Sequence, residues 1–107
     1  MILDLKNKTE FKEHVESSAI ALVDFWAQWC GPCRNMHKVL EEIDVEYAHT
    51  LKMYKVNIDE CPDVATDYQI MSIPTFILFV GGQMIDRKVG GMDKTTLVEW
   101  IKSHTKL

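Results

Sequence analysis

Two cysteines separated by two residues, in Trp29-Cys30-Gly31-Pro32-Cys33, are the side chains of this chain best placed to do chemistry. Thiols three positions apart reach one another across the first turn of a helix, so a reversible intramolecular disulfide is sterically available. Pro32 stands where such a turn would begin, and its fixed φ suits a first helical position. Cys30 then falls just before the helix and Cys33 inside its first turn. Unpaired backbone N–H groups and the positive end of the helix dipole favour a thiolate there, most of all at the outer position. Cys30 is therefore the expected nucleophile, attacking a partner disulfide to form a mixed disulfide. Cys33, one turn in and more buried, then attacks Cys30 and releases the reduced partner. Gly31 permits close approach of a substrate backbone, Pro32 stiffens the turn, and Arg34 adds a positive charge beside the pair.

Two other uses of the cysteines fit less well. Cys30, Cys33 and His37 share a helical face at i, i+3 and i+7, which suggests zinc. Structural zinc takes four ligands, usually as two pairs, and no second Cys-x-x-Cys exists, so no metal is expected. A permanent staple is disfavoured by the tiny loop it would close and by the compartment inferred below. Cys61 has no partner by arithmetic. It precedes Pro62 at a helix start, where a thiolate could be favoured, but a buried, hydrophobe-like cysteine is the simpler reading.

The elements that must position the pair follow from local pattern. Ile20 to Ala27 is an apolar run broken only by Asp24, as expected of a central strand covered on both faces. After the cysteines, Met36, Val39, Leu40, Ile43 and Tyr47 recur at helical spacing, with the acids Glu41, Glu42, Asp44 and Glu46 mostly outward. The spacing predicts a helix ending near His49. Met53 to Ile58 reads as a strand and Pro62 to Tyr68 as a short helix. Thr75 to Val80 is a strand that Gly81-Gly82 turns tightly into Gln83 to Val89. Asp93 caps a last helix with Leu97, Trp100, Ile101 and His104 on one face, and Asn7 or Thr9 caps a first helix through Phe11 and Val15. The order βαβαβαββα implies an α/β fold: a mixed sheet with helices on both faces and a terminal antiparallel hairpin.

At 107 residues the chain reads as one domain, 1–107. Its net charge of −4 and lack of any basic stripe exclude a nucleic-acid binder. Apolar runs are too short to span a bilayer, so no membrane partner is expected. Met1-Ile2-Leu3-Asp4-Leu5 reads as a strand rather than a signal peptide, which makes a cytoplasmic location the default. There a Cys pair is more often catalytic than structural.

Val23-Asp24-Phe25-Trp26-Ala27-Gln28-Trp29-Cys30-Gly31-Pro32-Cys33 resembles the active-site signature of the thioredoxins. Lys55-Val56-Asn57-Ile58-Asp59, Ile73-Pro74-Thr75 and Lys88-Val89-Gly90 resemble that family's other landmarks, in order, over essentially the whole chain. The resemblance implies the thioredoxin fold, a central five-stranded mixed sheet flanked by four helices. It implies reduction of disulfide-containing protein substrates and re-reduction by a thioredoxin reductase drawing on NADPH or ferredoxin. No cofactor is bound; the redox group is the Cys30–Cys33 disulfide. A monomer is the default for this architecture.

Residue roles follow on the same basis. Burial of Asp24 should raise its pKa toward neutrality, and the resemblance makes it the proton relay to Cys33. Lys55 would be the partner of that acid; an ordinary edge-strand lysine with a solvated head is its rival. The Ile73–Pro74 bond is expected to be cis, with Ile73 pairing a bound peptide like an added strand. Trp29, Ile58, Ile73 and Val89 would form an apolar rim around Cys30, and Gly90 and Gly91 would let backbone pass close to a ligand. Trp26 and Trp100 read as packing aromatics. His14, His49 and His104 read as surface or helix-end residues, and His37 as an incidental helix residue with modest electrostatic influence. Lys38 stands where the family often has a kinking proline, and Arg34 where it often has lysine. Disulfide oxidants and isomerases usually carry His between the cysteines, so Gly31-Pro32 favours the reducing end. The competing class is a non-catalytic subunit that uses the same rim to hold a partner protein.

Overall fold

The β-prone run Ile20–Trp26 forms β2, the strand around which the sheet assembles. The computed structural model describes residues 1–107 as β1 (Leu3–Asp4), α1 (Lys8–Ser17), β2, α2 (Gly31–Tyr47), β3 (Lys52–Asn57), α3 (Pro62–Asp67), β4 (Thr75–Val80), β5 (Gln83–Val89) and α4 (Lys94–His104). Strand order is β1-β3-β2-β4-β5. The strands β1, β3 and β2 run parallel, while β4 is antiparallel to β2 and β5 to β4. This is the five-stranded mixed sheet with four helices that the thioredoxin fold requires.

Strand alternation divides the interior. Ala21, Val23 and Phe25 of β2 join Tyr54, Val56, Ile77 and Phe79 against Phe11 and Val15 of α1 and Val64 of α3. Leu22, on the other face, joins Met53, Phe76 and Leu78 against Met36, Leu40 and Ile43 of α2 and Leu97 and Ile101 of α4. Asp24 is two residues beyond Leu22 and so points into the α2 side, where it is 2% exposed. Lys55 lies in register with it on β3 and shares that face.

Local chemistry sets the helix ends. Asn7 Oδ1 accepts the Glu10 N–H at 2.9 Å and Asp93 Oδ1 the Thr96 N–H at 2.8 Å, satisfying donors that the first turns leave free. Asn7, not Thr9, is thus the cap of α1. Helix α2 runs unbroken past the exposed Lys38 and stops at Tyr47, two residues short of His49. Its Tyr47 carbonyl takes the N–H groups of Thr50 and Leu51 at 3.0 and 2.8 Å. Gly81 and Gly82, both at positive φ (60° and 80°), make the two-residue turn between β4 and β5. In α4, Leu97 and Ile101 enter the core, whereas Trp100 and His104 reach Asp86 of β5. Their ring nitrogens lie 3.0 and 2.9 Å from Asp86 Oδ2. These bonds, the Trp100 one foremost, hold the Asp86 carboxyl below its ordinary pKa. No helix is long and apolar enough to cross a membrane.

Candidate active site

The parallel β2 delivers the chain to the rim of the sheet, and α2 begins there. Cys30 is the N-cap of α2, with extended backbone (φ −87°, ψ 111°), and Pro32 occupies its first turn. The Cys33 N–H donates to Cys30 Sγ at 3.2 Å, and the Arg34 N–H to the Cys30 carbonyl at 3.3 Å. An orphan amide of the helix start, that of Cys33, is therefore aimed at the outer sulfur, the arrangement that stabilises a thiolate. Cys30 and Cys33 are disulfide-bonded, with Cα atoms 5.3 Å apart. Cys33 is the deeper of the two, at 1% exposed against 5%. Arg34 turns back, its Nη1 donating to the Gln28 carbonyl at 3.0 Å, and so braces the loop that precedes the pair.

Around Cys30 the chain presents apolar surface and free backbone. Trp29 is 67% exposed, and its indole N–H donates to Asp59 Oδ2 at 2.9 Å. Trp29, Ile58 and Ile73 line one open groove of about 290 Å³, together with Ile70, Met71 and Ser72. The Ile73–Pro74 peptide bond is cis, as the resemblance implies. The Ile73 carbonyl oxygen lies 3.8 Å from Cys30 Sγ. Val89 does not line this groove; it stands exposed at the end of β5, in register with Thr75. Gly90, at φ +97°, donates its N–H to the Pro74 carbonyl at 2.8 Å, a backbone conformation that favours glycine. Gly91 packs near Pro32, where an added Cβ would make an ordinary 3.8 Å contact.

Behind the sulfurs, under α2, sits a second group of residues. Burial raises the Asp24 pKa to about 7, with the Lys55 charge opposing and Asp4 assisting. Lys55 makes no hydrogen bond to Asp24, since neither carboxylate oxygen has a partner. Its Nζ instead lies 3.1 Å from His37 Nδ1 and 4.0 Å from the centre of the Trp26 ring. The edge-strand reading of Lys55 fails, because β3 lies between β1 and β2; toward Asp24 it stands in register and acts by charge, without a hydrogen bond. Burial lowers the Lys55 pKa, with Asp24 as the main opposing influence. His37, read as incidental, is the residue that receives the ammonium, and Trp26 is the floor beneath it. The signal available in sequence was that His37 lies one helical turn past Cys33.

Asp59, which anchors Trp29, and the groove residues Ile70 and Met71 had no role in the sequence reading. Cys61 is 2% exposed in the α1/α3 core, its thiol pushed up by burial. Its sulfur makes no capping bond to α3; the S–H donates instead to the Leu5 carbonyl at 3.5 Å, which fits the buried reading.

Comparison with known proteins gives one consistent answer. Residues 3–103 match the family model described as Thioredoxin. The chain is 50% identical over 95 residues to Thioredoxin 1 of a Nostoc species, covering 88% of this chain and 89% of that protein. It is 41% identical over 104 residues to the thioredoxin of Rickettsia bellii, covering 97% and 99%. Among solved structures, a mutant thioredoxin from Halobacterium salinarum superposes with a TM-score of 0.90 at 30% identity, covering 99% of this chain and 92% of that one. The oxidised form of mitochondrial thioredoxin 3 from Saccharomyces cerevisiae superposes at 0.88 and 34% identity, covering 95% and 94%. The chain therefore belongs to the thioredoxin family, and the reaction of its Cys30–Cys33 pair is thiol–disulfide exchange that reduces protein disulfides.

Proposed function

We propose that this protein cycles as an electron carrier, reduced by a thioredoxin reductase and oxidised by protein disulfides, in a reducing compartment such as the cytoplasm. The observation that carries this reading is the Cys30 cap, whose sulfur accepts the Cys33 N–H at the helix start with apolar surface and the Ile73 carbonyl beside it. The Cys30 thiolate attacks one sulfur of the substrate disulfide. A Cys30–substrate S–S bond forms, and the other substrate sulfur leaves as a thiolate that takes up a proton. Cys33 then loses its proton to the Asp24 carboxylate and attacks Cys30 Sγ. The Cys30–Cys33 bond forms, the second substrate thiolate leaves and is protonated, and two electrons have passed to the substrate. A carboxyl titrating near 7 exists in both forms at neutral pH, as a relay in either direction requires.

In this reading Trp29, Ile58 and Ile73 grip apolar side chains, and the Ile73 backbone and Gly90 flank an extended peptide. Gly31 and Pro32 leave the approach to Cys30 open. Lys55 acts on Asp24 through its charge. The protein works as a monomer, and the electrons come from NADPH or ferredoxin through the reductase.

Reductase-coupled reduction of insulin disulfides tests the cycle, run in parallel with an NADPH-linked and a ferredoxin-linked reductase. Wild type turns over with one of them. Cys30→Ser is inactive, and Cys33→Ser accumulates a mixed disulfide that dithiothreitol releases. An inactive wild type, or an active Cys30→Ser, refutes the carrier reading. Partners retained by Cys33→Ser and freed by salt but never by reductant would favour a holding subunit instead.

A further inference from the structure

Lys55 stands between two acids and bonds to neither. Strand register places it beside Asp4 on β1 and beside Asp24 on β2. Both oxygens of Asp24 and Oδ1 of Asp4 are nevertheless left without a hydrogen-bond partner. A half-buried ammonium is ordinarily drawn to a buried carboxylate, so its placement needs a cause. That cause is on α2. The 3.1 Å contact between Lys55 Nζ and His37 Nδ1 requires the ring nitrogen to accept, which a neutral imidazole with its proton on Nε2 can do. The Trp26 face, 4.0 Å away, adds a cation–π attraction on the same side. His37 and Lys55 also line an open cleft of about 410 Å³ with Glu41 and Asp44, so their contact lies between the buried Asp24 and solvent.

We propose that His37 is a positioning residue for the Asp24 proton relay: the neutral ring docks the Lys55 ammonium on the cleft side and so holds its charge back from the Asp24 carboxylate. The inference rests on reading Asp24 as the proton partner of Cys33. Protonation places an N–H where the acceptor was and a second positive charge about 3 Å from the first, so the docked pair cannot persist. The long apolar stem of Lys55 lets its head swing without backbone movement. The charged groups facing the pair are few. Asp24 comes from β2, and Asp4 from β1, where Lys6 holds it at 3.0 Å. Glu41 and Asp44 come from α2, Asp44 being paired at 2.7 Å with the amino terminus. Burial and the Lys55 charge lower the His37 pKa, and Glu41 only partly opposes them. Docking therefore prevails at neutral pH, where Asp24 titrates.

The test reads Asp24 itself. Its carboxyl ¹³C shift is titrated in the oxidised full-length protein for wild type, His37→Ala and His37→Asn, each also in a Lys55→Met background. Removing the acceptor in His37→Ala frees the ammonium, and the Asp24 midpoint falls by about one unit. The Asn carbonyl oxygen sits close to the former Nδ1 position, so His37→Asn keeps the midpoint within roughly 0.3 unit of wild type. In Lys55→Met, His37→Ala has no effect. An unmoved midpoint in His37→Ala overturns the proposal, as does His37→Asn behaving like His37→Ala. A fall that persists in Lys55→Met also overturns it, because water entering the vacated ring volume would then be the cause. The relay reading is judged separately, from the pH profile of the Cys33 resolving step. If the midpoint moves as expected and that profile does not, docking stands and the relay fails.

Discussion

Asp24 keeps a proton that most carboxyls surrender well below neutral pH, and the cost appears in stability. Its folded midpoint is about 7, raised first by burial, against an ordinary value of 3.8. Between those values the native state holds more protons than the unfolded chain, so the associated stability is full below about 4 and is lost as pH rises through 7. Three units correspond to a penalty on the order of 4 kcal/mol at alkaline pH. Asp24→Asn should therefore raise the urea midpoint clearly at pH 8 and leave it unchanged near pH 4; equal effects at both would show that ionisation is not the cause. The same substitution should flatten the pH profile of the resolving step. At this scale the sequence exposed the acid, because Leu22-Val23 and Phe25-Trp26 announce burial on both sides. It did not expose where Lys55 points. That depends on His37 and Trp26 meeting over β3, a contact across 18 residues that no local pattern encodes.

Helix ends and turns were legible because their causes lie within a few residues. Asn7, Pro32, Gly81-Gly82 and Asp93 each supply a donor, an acceptor or a backbone angle where an element must begin or turn. Asp93→Ala should accordingly cost about 1 kcal/mol in chemical denaturation, while Asp93→Asn should cost much less. The errors were boundary errors of one or two residues, as at Tyr47 and Asn57, and pairings between distant elements. Trp100 and His104 looked like members of the apolar face of α4. Their partner Asp86 is a polar residue on β5, brought within reach only when the hairpin folds back beside that helix. Trp29 and Asp59 are a similar case, joined across 30 residues at the ends of parallel strands.

For the whole molecule, the apolar character of β2, broken only by Asp24, told that both sheet faces are covered. Strand order was not read from the sequence, since alternation does not say which strand is whose neighbour; the structure supplies it. The sheet separates two apolar layers, and Cys61 lies inside the one formed with α1 and α3, away from the chemistry. The chain carries three cysteines, so the fully reduced protein offers three sulfurs to an alkylating reagent. Only the thiolate reacts, and Cys61 is both covered and biased against ionising. Mass spectrometry of the reduced native protein should show one label added quickly, at Cys30, a slower one at the 1%-exposed Cys33, and the third only at the rate at which the α1/α3 layer opens. Three labels arriving together would mean that this layer is not closed. The silent sulfur thus serves as a clock for breathing of the scaffold, readable in the same spectrum that counts the electrons.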